Sequence, residues 1–149
     1  MVCPFCAGSV ERSVFSESEN FRAIYNIAPI FPGHSLIIPK EHIVSILDLG
    51  NGQLGELILF TRQTTNLLMK VFRADGFNWS VQDRETAGQT LAHLHLHIVL
   101  RYTNDLPDPG DWYPRIQQNY GEILDSASRE KLDDREMQKI VRKLREAAR

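Results

Sequence analysis

His93, His95 and His97 occupy alternate positions in Ala92-His93-Leu94-His95-Leu96-His97-Ile98-Val99. In an extended chain alternate residues share a face, so this spacing sets three imidazoles in a row and turns Leu94, Leu96 and Ile98 toward the core. A single histidine on a strand is ordinarily a surface residue or a hydrogen-bonded polar one. Three in strict alternation gain nothing from packing and repel one another once protonated. Metal binding and phosphate chemistry are the two uses such a row serves. A second chemical cluster opens the chain. Cys3-Pro4-Phe5-Cys6 has the spacing of a metal site or a redox pair. Redox pairs usually open a helix in a strand-helix context, which is missing here, so the metal reading ranks first and the redox pair second.

The elements that must carry these residues follow from periodicity and breakers. Phe21 to Ala28 reads as a strand, Phe31-Pro32-Gly33-His34 as a turn, and Ser35 to Pro39 as a short strand closing a hairpin with the first. Leu54, Leu57, Ile58, Thr61, Thr65, Leu68 and Phe72 recur at helical spacing, which predicts a long amphipathic helix over Gln53 to Phe72. Phe77 to Gln82 reads as a strand, Asp83 to Thr90 as a polar loop, and Leu91 to Tyr102 as the strongest strand of the chain. Thr103 to Pro114 is a long loop, and Met137, Ile140, Val141 and Leu144 mark a terminal helix that packs a narrow stripe on its own domain or on a partner subunit. Four strands joined by hairpin-length links around one long helix predict an antiparallel sheet with a helix on one face, an α+β fold.

The 149 residues fit one domain, and their composition is that of an ordinary globular protein. A formal net charge of -2 provides no general field for nucleic acid or for an anionic membrane. Any bound phosphate must therefore be held by local groups. No apolar run is long enough to span a bilayer, and the N-terminus has neither a basic n-region nor an apolar h-region, so a cytoplasmic protein is expected.

The H-φ-H-φ-H-φ-φ pattern resembles the signature of the histidine triad (HIT) superfamily. The resemblance extends over roughly residues 3 to 102, through Asn26, Pro32-Gly33-His34, Pro39-Lys40-x-His42, the long helix, Gln82-Asp83 and Gly88-Gln89-Thr90. It implies a five-stranded antiparallel sheet with one long helix and a C-terminal helix. Residues 1–110 would form the HIT domain, and 111–149 a loop and helix packed on it. It also implies a two-fold homodimer, the commonest oligomer in general.

The resemblance implies a hydrolase acting at the α-phosphorus of nucleotides. His95 is then the nucleophile, forming a covalent nucleotidyl-imidazole that water resolves. His34 and His97 contact phosphate, with His93 the first residue of the triad. Asn26 holds the ribose, and Gln82, Gln89 and Thr90 reach the phosphates. Gln82 in the Gln-Asp step resembles the fragile-histidine-triad branch and points to dinucleoside polyphosphates such as diadenosine tri- or tetraphosphate, with AMP as a product. Arg84 departs from that branch, which has glycine there; it would clamp far phosphates or face solvent. The alternatives are hydrolysis of adenosine phosphoramidate or adenylate adducts, and a nucleotide-binding signalling or interaction module. Magnesium or manganese often accompanies polyphosphates. Many bacterial members share the C-x-x-C start, which implies a structural zinc site of Cys3, Cys6, His42 and His93; the fragile-triad branch generally lacks it. Trp112 and Tyr113 are expected to close the nucleotide site, to pack at the dimer edge or simply to anchor their loop.

Overall fold

The computed structural model describes residues 3–111 and 130–149. Residues 112–129, Trp112 and Tyr113 among them, lie outside the described residues. Five strands form one antiparallel sheet: β1 (Val14–Glu17), β2 (Phe21–Tyr25), β3 (Ser35–Pro39), β4 (Gly76–Val81) and β5 (Leu96–Arg101), in the order β1-β2-β3-β5-β4. Two α-helices accompany it, α1 (Asn51–Phe72) and α2 (Asp134–Ala147).

Alternation decides which face of the sheet does what. Leu96, Ile98 and Leu100 of β5, Ile37 of β3, and Phe21, Ala23 and Tyr25 of β2 share a core with Leu57, Phe60 and Leu68 of α1. The same core takes Met137, Val141 and Leu144 of α2. The opposite face carries Ile24, Leu36 and Ile38, and His97 pairs across the ladder with Leu36. The helix α1 therefore buries one side of the sheet and leaves the other side for chemistry.

Some boundaries differ from the sequence expectation for identifiable reasons. β2 stops at Tyr25, because Asn26 Oδ1 accepts the amide of Ala28 at 2.9 Å and turns the chain. β1 is short and irregular, with a register shift between Val14 and Ser16, and its four residues carry too little alternation to be read in advance. On α1 the buried stripe runs through Leu57, Phe60, Thr61, Thr64, Thr65 and Leu68, while Leu54 and Ile58 are exposed. The C-terminal helix packs on its own chain. Its N-terminus has a capping box between Asp133 and Glu136, and Arg145 donates to the carbonyls of Val14 and Glu11.

The largest departure concerns the histidine segment. Strand β5 begins at Leu96, so only His97 lies in the sheet, while His93 and His95 precede it. Continuing the β3–β5 register would set Pro39 opposite Leu94, and proline has no N–H to give to a ladder. The chain instead folds tightly, with His93 N–H donating to Leu91 O at 2.8 Å and Leu94 N–H to Ile43 O at 2.7 Å. Leu94, Leu96 and Ile98 are buried, as are all three histidines, and Leu96 and Ile98 belong to the main core.

The β2–β3 turn sets His34 beneath the site. His34 N–H donates to Phe31 O at 3.1 Å, and Gly33 has φ of 91°, a left-handed conformation that an L side chain adopts only with strain. A Cβ at position 33 would also run into the Leu100 side chain. Gly33→Ala is therefore expected to cost about 2–4 kcal/mol through combined backbone strain and overpacking. Urea unfolding checks this, and a stability within 0.5 kcal/mol of the parent would contradict it.

Candidate active site

Each histidine of the triad has one ring nitrogen committed to a neighbour, and that commitment determines what the other nitrogen can do. His95 Nδ1 lies 2.8 Å from the carbonyl oxygen of His93. A carbonyl only accepts, so Nδ1 carries the proton and Nε2 keeps its lone pair. Burial holds the His95 pKa below the ordinary histidine value, against the opposing effect of that hydrogen bond, so the ring is neutral near pH 7. A neutral imidazole with an unprotonated Nε2 is the form that can attack phosphorus.

A second tautomer chain runs through His34. The backbone N–H of Ile30 donates to His34 Nδ1 at 3.1 Å, which puts the His34 proton on Nε2. His34 Nε2 is 2.9 Å from His97 Nδ1 and donates to it, so the proton of His97 resides on Nε2. The rings of His95 and His97 lie 5.1 Å apart, edge to face. A backbone amide thus orders two imidazoles in series and leaves one ring next to His95 as a donor. Asn26 is buried beside them, with Nδ2 3.4 Å from His34 Nε2.

His93 faces away from this pair. Its Nε2 donates to Pro39 O at 3.0 Å, which turns the Nδ1 lone pair toward Cys3 Sγ at 3.4 Å and Cys6 Sγ at 3.5 Å. His42 Nδ1 lies 3.3 Å from Cys6 Sγ, and one donor atom from each of the four residues falls within 4.8 Å of the others. With Zn–S near 2.3 Å and Zn–N near 2.0–2.1 Å, a tetrahedral site has ligand-to-ligand edges of about 3.6 Å. The Sγ–Nδ1 separations match those edges, both cysteines are free thiols, and the His93 tautomer presents a lone pair to the centre. The donor set therefore fits a structural zinc ion. Desolvation and the adjacent Cys3 side chain push the Cys6 pKa up, and a bound cation would favour the thiolate there.

The loop residues divide. Gln82 is buried, donates through Nε2 to Ser80 Oγ, and has Oε1 without a hydrogen-bond partner among the described residues. Gln89 has both ends of its amide taken by backbone: Oε1 accepts from Arg84 N–H at 2.7 Å and Nε2 donates to Val44 O at 3.0 Å. That pairing holds the loop in shape. Thr90 lines the cavity, and Arg84 is largely exposed, with a loose 3.7 Å ion pair to Asp83. Asp83 itself anchors the loop after β3, accepting from Ser45 Oγ and Ile46 N–H.

A cavity of about 400 Å³ opens onto His95 and His97, large enough for a nucleotide-sized ligand. Asn26, Ile24, Leu36 and Thr90 line it, together with residues that local sequence patterns left unmarked. Phe5, inside the Cys-x-x-Cys loop, packs edge-on to both His93 and His95 at 5.5 Å. Arg12, Leu132, Asp134 and Met137 come from the two ends of the chain. Phe5 could have been singled out as the apolar residue between two ligands, and Met137 was legible only as part of a helical stripe; Arg12, Leu132 and Asp134 carry no local signal.

Comparison with known proteins bears on this arrangement. The HIT domain model matches residues 7–104. The chain is 33% identical over 114 residues to the Schizosaccharomyces pombe bis(5'-nucleosyl)-tetraphosphatase [asymmetrical], a match covering 76% of this chain and 63% of that protein. It is 30% identical over 108 residues to the Dictyostelium discoideum bis(5'-adenosyl)-triphosphatase, covering 72% of each. It thus spans less than two thirds of the fission-yeast protein's length. Among solved structures, a Zn-bound histidine triad family protein from Mycobacterium smegmatis superposes with a TM-score of 0.64 at 28% identity, covering 99% of this chain and 94% of that one. With its triad, its sheet and a domain match over about two thirds of its length, the chain belongs to the HIT family.

Proposed function

We propose that this protein hydrolyses dinucleoside polyphosphates at the α-phosphorus, with His95 as nucleophile. The observation that carries the reading is the His95 tautomer: a buried neutral ring, its Nδ1–H held by the His93 carbonyl, on the wall of a nucleotide-sized cavity. The Nε2 lone pair forms a bond to the α-phosphorus while the bridging P–O bond breaks, and the leaving nucleoside polyphosphate departs with the electron pair. In this reading the His97 Nε2–H stabilises charge on the phosphoryl oxygens or the departing oxygen. Water then attacks the nucleotidyl-imidazole, the P–N bond breaks, and AMP leaves. For diadenosine tetraphosphate the sum is substrate plus water giving AMP and ATP. In this reading Asn26, just past the end of β2 and on the cavity wall, meets the ribose hydroxyls, and the buried Gln82, whose amide oxygen has no hydrogen-bond partner among the described residues, serves the phosphates. The relatives named as tri- and tetraphosphatases favour these substrates over phosphoramidates.

Zinc on Cys3, Cys6, His42 and His93 completes this reading. Four protein ligands leave no open position, so the ion's contribution is structural. It ties the N-terminus to the segment carrying His95. A homodimer is also part of the reading. Leu54, Ile58 and Leu59 are exposed on α1, and Phe77 and Trp79 on edge strand β4, which gives an apolar surface for a second copy.

Three tests follow. Chromatographic product analysis with diadenosine tri- and tetraphosphate, with and without magnesium, should show AMP plus ADP or ATP from the parent. His95→Asn should lower the rate by at least about a thousandfold, since no covalent intermediate can form. Turnover by His95→Asn within tenfold of the parent would remove His95 as nucleophile, and no cleavage of either substrate by the parent would end the reading. Metal analysis of freshly reduced protein should find one zinc per chain. Cys6→Ser should lose it and melt several degrees lower, where a change of about 1 kcal/mol shifts Tm by roughly 2–4 °C for a chain of this size; zinc-free parent protein would refute the site. Sedimentation should give twice the chain mass, and a monomer would refute the dimer.

A further inference from the structure

The domain match ends at residue 104, yet the cavity beside His95 is completed by residues beyond it. Leu132, Asp134 and Met137 line it, and two contacts place them. Leu132 N–H donates to Ile27 O at 2.7 Å, one residue past Asn26, and Arg12 Nη1 donates to Asp134 Oδ1 at 3.0 Å. Behind them α2 is fixed by the fully buried Val141 and Leu144, and by Arg145 bonded to the carbonyls of Val14 and Glu11. This wall is part of the packed core and not a loose tail.

The cavity has two kinds of lining. His95, His97 and Asn26 supply polar groups, while Val10 and Leu36 of the domain and Leu132 and Met137 of the C-terminal segment supply aliphatic surface. The Arg12–Asp134 pair lines the same cavity, Asp134 one turn from Met137 on α2, and the two side chains are 57% and 83% exposed. A nucleotide has the same two halves, an anionic phosphate and a flat heterocycle with a polar edge. The phosphate must lie at His95 for reaction, so the heterocycle takes the aliphatic lining. Aliphatic and thioether side chains pack well on aromatic faces.

We infer that Leu132, Asp134 and Met137 are specificity-determining residues for the nucleobase. Leu132 and Met137 cover the ring face. The Asp134 carboxylate accepts a hydrogen bond from the exocyclic amino group, and Arg12 donates to the neighbouring ring acceptor. The ligand class is an amino-bearing base, with adenine preferred over hypoxanthine, which presents a carbonyl oxygen to the carboxylate. This rests on the nucleotide-hydrolase reading of the same site.

The test is calorimetric titration of the full-length protein with AMP, inosine monophosphate and ribose 5-phosphate, none of which contains the anhydride the enzyme would cleave. The parent should bind AMP more tightly than inosine monophosphate, and ribose 5-phosphate more weakly than either. Leu132→Ala should weaken AMP about tenfold, the scale of an altered apolar contact, and leave ribose 5-phosphate unchanged. Asp134→Ala and Arg12→Ala remove exposed side chains and leave the buried Val141 and Leu144 and the Arg145 bonds to hold α2, and each should erase the preference for AMP over inosine monophosphate. With dinucleoside substrate, KM should rise while kcat stays within about twofold, the mark of binding lost equally from ground and transition states. Unchanged AMP affinity in all three variants overturns the inference, as does a parallel loss of AMP and ribose 5-phosphate. A parent that binds AMP no better than ribose 5-phosphate also overturns it. A parent that binds none of the three ligands overturns the nucleotide reading itself.

Discussion

The backbone carbonyl of His93 is the point on which the rest of the site depends. It accepts the Nδ1 proton of His95 and so fixes which nitrogen of that ring can act as a nucleophile. That carbonyl can point at His95 because the His93 ring is held elsewhere, with Nε2 on Pro39 O and Nδ1 toward the two thiols. One residue thereby joins the proposed zinc centre to the proposed nucleophile: the side chain belongs to the first and the main chain to the second. A zinc ion that restrains the ring also restrains the peptide unit that selects the His95 tautomer. The proposed zinc site and the proposed covalent chemistry are then parts of one construction.

The sheet explains why this construction sits where it does. β5 has partners on both sides from Leu96 to Ile98, and on neither side before Leu96. Below that residue Pro39 has no N–H to offer, and Asp83, beyond the end of β4, is engaged with Ser45 and Ile46. The chain is thus released from the ladder immediately before the triad is complete. His97 is positioned by the sheet, whereas His95 and His93 are positioned by hydrogen bonds to carbonyls. Release from the ladder is what permits His93 to turn toward the N-terminus while His95 and His97 stay ring to ring at 5.1 Å.

The same physics separates what was legible in the sequence from what was not. Spacing of two identified Leu96 and Ile98 as core residues and the exceptional run of histidines, because alternation is a local property of extended chain. It overextended the strand, because ladder pairing depends on neighbours distant in sequence. The Pro32-Gly33 turn was readable from conformational preference alone, and Gly33 does take the left-handed conformation. Gln89 looked like a phosphate ligand by type and place, yet its amide closes on Arg84 and Val44. Nothing local announces such a pairing, since its partners are main-chain atoms that any residue would supply. The C-terminal helix was legible as an amphipathic stripe, but its contribution to a cavity more than thirty residues upstream was not.

That contribution alters how the chain divides. A boundary near residue 110 is natural if catalysis defines the unit, because the triad, the sheet and the family match all fall before it. It is less natural if the core defines the unit. Met137, Val141 and Leu144 lie in the same buried cluster as Leu57 and Ile98, and Arg145 caps carbonyls at the start of β1. The first strand is short, irregular and at the sheet edge, and α2 is among the elements packed against it. Removing the helix would therefore expose apolar core and the β1 end of the sheet together with the cavity wall. The C-terminal segment is a structural requirement of the fold before it is anything else, and selection acting on its inward side chains has a ready route to tuning what the cavity accepts.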